Sequence, residues 1–134
     1  MTTTVDPLGT PSVIYNRGGT AIVEVSPSGS AGTGNAATPI PRVSQLTVAL
    51  VSTSAGHNDV LLPDDAEIGD AVEVYTLWDG SSVPARVFPN VGEAIGNLAT
   101  SVGTNLNASL GVGSTGMVFR KVSSVLWVPI GGAA

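Results

Sequence analysis

Cysteine is absent from this 134-residue chain, which removes disulfides, thiolate nucleophiles, Cys-containing zinc sites and iron–sulfur clusters from consideration. Stability must come from packing, oligomerisation or docking. Cations are nearly as scarce: five Lys and Arg against ten Asp and Glu leave a net charge of −5. No basic face is available to neutralise a phosphate backbone or an anionic membrane, so neither nucleic acid nor a membrane is expected as a direct partner. No apolar run approaches the roughly 18–20 residues needed to span a bilayer. The opening Met1-Thr-Thr-Thr-Val-Asp-Pro7 lacks the positive segment and apolar stretch of a secretory signal. The chain is expected to be made in, and kept inside, a cell.

What is present is 43% apolar residues with only 11% charged, 17 glycines and 9 prolines. So little charge is unusual for an isolated soluble monomer, and part of the surface is expected to be covered by a partner. The length fits one compact domain plus an appendage.

Residues 1–41 hold Pro7, Pro11, Pro27, Pro39, Pro41 and the tract from Ser26 to Gly34, a composition that resists helix and continuous sheet alike. This segment reads as an extended N-terminal arm for attachment. Within it, Val13-Ile14-Tyr15 and Thr20 to Val25 are short β-prone islands around the turn Asn16-Arg17-Gly18-Gly19. A lone two-stranded ribbon is marginal in water, so these islands should add to the main domain or to a neighbouring subunit. Ile14, Tyr15, Ile22, Val23 and Val25 are the candidate arm contacts.

Residues 42–134 read as a compact β-domain. Runs at Gln45–Ser52, Asn58–Leu62, Asp70–Leu77, Val83–Phe88, Asn105–Leu110, Gly116–Val122 and Val125–Ile130 alternate apolar with polar residues. The expected fold is all-β: a small antiparallel β-sandwich or barrel-like domain carrying the arm. In Asp70–Leu77, Val72, Val74 and Thr76 should point to one face and Glu73 and Tyr75 to the other. Leu77-Trp78-Asp79-Gly80-Ser81 reads as a hairpin. Val91–Ser101, weakened by Gly92 and Gly96, promises at most a short turn of helix. No sequence repeat at a solenoid period is visible.

Several patterns invite a chemical reading. Asp59, Asp64, Asp65, Glu67, Asp70 and Glu73 crowd a stretch from Val43 to Ala85 that has no Lys or Arg. Calcium is the sharp hypothesis, but the spacing is not that of an EF-hand and strand neighbours point to opposite faces; a solvated acidic rim is preferred. His57 follows Ser54 and precedes Asp59 without a Gly-x-Ser-x-Gly elbow, which favours a turn histidine over a catalytic triad. Gly111-Val-Gly-Ser-Thr-Gly116 lacks the Lys-Ser/Thr pair of a phosphate loop and reads as a β-turn. Trp78 and Tyr75 are the candidate exposed recognition residues, for a sugar ring or a protein contact, with a partly buried loop residue the preferred reading of Trp78. No catalytic group, metal or cofactor is expected.

Leu61-Leu62-Pro63, Ile68-Gly69-Asp70-Ala-Val72-Glu-Val74, Ala85-Arg-Val87-Phe88-Pro89, Ile95-Gly96-Asn97, Gly116 to Val122 and Trp127 occur in an order that resembles a β-module of tailed-bacteriophage capsid decoration (cement) and head-fibre proteins. The resemblance covers residues 60–130; it departs at Gly96, where that pattern places isoleucine directly before asparagine. It implies a non-enzymatic structural protein of the virion, frequently a homotrimer, and suits a capsid decoration protein on the outer surface of the head, with the major capsid protein and itself as partners. A fibre-associated or receptor (glycan)-binding module is the alternative it leaves open.

Overall fold

The computed structural model describes residues 12–28, 37–54, 56–78, 84–106 and 115–132. These form eleven strands: β1 (Ser12–Arg17), β2 (Thr20–Val25), β3 (Thr38–Pro39), β4 (Leu46–Thr53), β5 (Asp59–Leu61), β6 (Ala71–Trp78), β7 (Arg86–Phe88), β8 (Ala94–Ile95), β9 (Thr104–Asn105), β10 (Thr115–Ser123) and β11 (Leu126–Gly132). Among the described residues there is no helix, and so none long and apolar enough to cross a membrane.

A seven-stranded sheet has the order β1-β2-β4-β6-β10-β11-β8, and a four-stranded sheet the order β3-β5-β7-β9. From β2 to β7 the chain alternates between the two sheets, so β2, β4 and β6 stack in parallel in one and β3, β5 and β7 in the other. Thr20 pairs with Leu46 and Leu46 with Ala71, so each circuit advances about 25 residues. Among the named strands, antiparallel pairing is confined to β1–β2, β6–β10, β10–β11 and β7–β9. The all-β expectation therefore holds, whereas the expected antiparallel sandwich is replaced by mixed sheets built on a short coil. The coil repeats in the backbone without repeating in the sequence, because the shared requirement is only an inward-facing small or branched residue at alternate positions.

Register lines these inward positions into columns. Ala21, Thr47 and Val72 face Phe119 along one column, and Val23, Ala49 and Val74 face Met117 along the next. All but Met117 are buried, and Val23, Val25, Val51, Val74, Val60, Leu62, Val87 and Phe119 are wholly so. Ile40, Leu106 and Ile95 complete the space between the sheets, with Trp127 closing its far end. The Thr76 hydroxyl, buried on the inner face of β6, accepts the Ala85 amide at 2.9 Å. This ties the large sheet to the chain entering β7.

The two islands expected to add to the main domain or to a neighbouring subunit add to the main domain. Residues 12–25 are a hairpin of the larger sheet, turned by Gly18 and Gly19 at φ 60° and 83°, and β3 pairs with β5. Both pieces are thus paired into the sheets, and the rest of the expected arm, residues 1–11 and 29–36, lies outside the described residues. β6 and β7 lie in different sheets, and the hairpin expected at Leu77–Ser81 falls on residues 79–81, outside the described residues. Val91–Ser101 contains turns and the two-residue β8 in place of a helical turn.

Candidate functional site

Three ionic clasps hold the fold, and two of them engage Asp59, Glu67 and Asp70, half of the crowded carboxylates. Asp59 and Arg86 are direct cross-strand partners on β5 and β7. Arg86 donates from Nε to Oδ1 at 2.7 Å and from Nη2 to Oδ2 at 3.1 Å, and its guanidinium lies 5.6 Å from the centre of the Phe88 ring. Arg42, entering β4, donates from Nε to Asp70 at 2.7 Å and from Nη2 to Glu67 at 3.0 Å. The Glu67 amide donates to the same Asp70 carboxylate at 2.9 Å. Lys121 Nζ and Trp127 Nε1 both donate to Glu93, at 3.0 and 2.9 Å. The stretch without cations is thus bracketed by the two arginines that serve its buried acids.

Burial alone would raise the Asp70 carboxyl, but hydrogen bonds from Arg42 and the Glu67 amide outweigh it and hold the group below the ordinary carboxylate range. A depressed folded-state value means that the stabilisation is complete above the unfolded value, near 3.9, and is lost as pH falls through the folded one. Urea unfolding followed from pH 6 down to pH 2 should show a falling midpoint below about pH 4. Asp70→Asn should flatten that limb and lower the midpoint at pH 6.

Asp64 and Asp65 are exposed, Glu73 bonds to Tyr75, and no three Asp, Glu or His side chains converge as metal ligands among the described residues. His57 sits in the turn that it closes by exchanging backbone hydrogen bonds with Ser54, around Gly56 at φ 78°. The turn reading of this histidine matches its position. Gly111–Ser114 and the side chain of Trp78 lie outside the described residues.

The broadest surface feature is the outer face of the seven-stranded sheet. Register places Tyr15, Ile22, Val48, Glu73, Val118 and Ile130 in one row across β1, β2, β4, β6, β10 and β11. A neighbouring row carries Arg17, Thr20, Leu46, Ala71, Arg120 and Val128, and a third Glu24, Leu50, Tyr75 and Gly116. β4 is inverted in size: Thr47, Ala49 and Val51 are buried while Leu46, Val48 and Leu50 face outward, half-buried. Leu77, Val122 and Ile130, on the same face, are exposed. A groove of about 310 Å³ lined by Gly19, Gln45, Leu46, Glu73, Val118 and Arg120 gives this face relief.

Of the candidate contacts, Tyr15 and Ile22 stand on this face, and Ile14 lies at the irregularity in β1 pairing; all three are half-buried. Val23 and Val25, at 0% exposure, belong to the chain's own core. Tyr75 is committed within the chain. Its hydroxyl donates to Glu73 at 2.6 Å; that bond, with partial burial, raises the hydroxyl above the usual tyrosine value. Its ring lies where a Cβ on Gly116 would come within 2.4 Å. Gly116 is therefore a strand residue that admits a ring, not a turn residue. Leu46, Val48, Leu50, Val118, Val128 and Ile130 were not singled out by sequence; the available signal was the run Leu46–Val51, apolar on both strand faces apart from Thr47.

Against known proteins, no family model matches the chain, and no curated protein matches it.

Proposed function

We propose that this chain is a non-enzymatic structural protein of a phage virion, a capsid decoration (cement) protein that sits as a homotrimer on the outer surface of the head and binds the major capsid protein. One observation carries the docking part of this reading: β4 turns its larger apolar side chains, Leu46, Val48 and Leu50, away from the core and buries the smaller Thr47 and Ala49. In a strand whose outer face met only water, the opposite register would bury more apolar area. The outer face of the large sheet is thus suited to being covered. The resemblance over residues 60–130 supplies the virion context.

The mechanism is thermodynamic. A trimer bridging several capsid subunits gains avidity from contacts that are individually weak. Binding the closed lattice better than a ruptured one shifts the balance toward the intact shell. The glycan-binding alternative draws less support, since Tyr75 is already engaged by Glu73 and packed against Gly116.

The reading is tested by sedimenting particles made with and without the protein through a density gradient. The protein should migrate with mature heads in many copies per particle, and heads lacking it should release their DNA at lower temperature. Recovery only with detached tails, or only in the soluble fraction, would count against it.

A further inference from the structure

We infer that the outer face of the seven-stranded sheet is the surface through which this chain binds a second copy of itself, which leaves its other surfaces for the capsid. The inference rests on the docking reading above and names the occupant of that face.

Charge distribution is the first argument. The chain carries a net −5, so two copies repel each other through most of their surface. The three outer rows hold Arg17 and Arg120 against Glu24 and Glu73, which leaves this face without net charge. It is where a copy can approach without meeting an excess of its own sign. Its two cations lie in one flanking row and Glu24 in the other, with the apolar row between them, so each margin offers the next copy of the trimer a charge of one sign to complement. A partner of different composition would place no such condition on the face.

Area is the second argument. Six strands about 4.8 Å apart, presenting about 20 Å of strand each, give roughly 500 Å² per copy. With the surface of the next copy laid on it, this gives about 1,000 Å² in all, the lower bound for a specific interface. The apolar row Tyr15, Ile22, Val48, Val118 and Ile130 supplies its centre, and the groove beside Arg120 supplies relief for interlocking side chains. Glu73 is the one charge in that row. Burying it costs association free energy, even with the Tyr75 hydroxyl bonded to it.

The test is sedimentation equilibrium of the purified full chain, with no capsid component present. Wild type should be oligomeric at about 10 μM, a concentration well within reach of interfaces of this size. Val48→Asp and Val118→Asp should weaken association at least about a hundredfold while keeping the wild-type circular dichroism spectrum. Val91→Asp, at an exposed loop position remote in sequence from the face, should leave it unchanged. Glu73→Gln should tighten association by about tenfold or more, since it removes the charge and keeps a group able to accept from Tyr75. A monomeric wild type at about 100 μM, or folded Val48→Asp and Val118→Asp proteins that stay oligomeric, would overturn the inference. Should the aspartate variants fail to fold, unchanged association of Glu73→Gln overturns it equally. Because no virion enters this measurement, its failure counts against self-association through this face, whereas failure in the gradient experiment counts against the virion reading.

Discussion

Trp127→Ala is expected to lower the free energy of unfolding by about 3–5 kcal/mol, the range for truncating a large buried aromatic. Trp127 is completely buried at the end of the core, where β11 turns it inward against the neighbourhood of Phe119 and Ile95. Its removal leaves a cavity, and it also removes the indole N–H that donates to Glu93 at 2.9 Å and the ring that lies 5.6 Å from Lys121 Nζ. Lys121 is itself 5% exposed, so the Glu93–Lys121 pair would remain in the interior beside a void. Trp127→Phe separates the two contributions: it keeps most of the packing and should cost about 1–3 kcal/mol, the share of a lost hydrogen bond to a charged group and a smaller ring. Chemical denaturation of both variants at pH 7 checks the ordering. Equal losses for Phe and Ala would mean that packing at this position contributes little.

Arg86→Ala should be the second large effect, at about 3 kcal/mol, the lower end for breaking a buried ion pair because Arg86 keeps one edge in solvent. The two sides of this pair are unequal. The Asp59 side chain is 0% exposed, whereas Arg86 is 29% exposed. Taking away the arginine leaves a carboxylate enclosed without its guanidinium; taking away the carboxylate leaves a cation that can reach water. Asp59→Asn should therefore cost less than Arg86→Ala. Replacing both by apolar residues, as Asp59→Leu with Arg86→Met, should recover much of the loss. Denaturation of the single and double variants at pH 7 gives the cycle, and a larger loss for Asp59→Asn than for Arg86→Ala would contradict the burial argument.

The strands of this fold were legible because their period-two alternation is local. Val72, Val74 and Thr76 face inward, as the alternation in Asp70–Leu77 requires. The direction of pairing was not legible. Asp79-Gly80 after a strand has the chemistry of a tight hairpin, yet β6 is followed by a strand in the opposite sheet, and nothing in a short run of residues distinguishes a return from a crossing. In the first part of the chain the islands were legible, but which of their residues would be buried was not. Its prolines and glycines interrupt structure locally, but Ala21, Val23 and Val25 gain their burial from β4, whose paired residues lie 26 positions further on. The clasps were half visible: the acids stood out as a cluster, while Arg42 and Arg86 looked like the borders of that cluster until the coil brought each over an acid. Gly116 reads in sequence as the end of a turn, and Gly103 is not singled out. Their role is to leave room for the Phe88 and Tyr75 rings, to which added Cβ atoms would come within 2.7 and 2.4 Å. Close approach of this kind has no signature in the chain.

The central proposal, that this coil of β-strands is a docked protein of the head surface, is tested most directly by a density map of the intact particle. The account predicts many copies distributed over the outer head, each placed so that the face bearing Val48, Val118 and Ile130 is covered and the loop bearing Asp64 and Asp65 stands free. Density for this chain confined to the tail or to a single vertex, or a sheet face left bare in every copy, would contradict it.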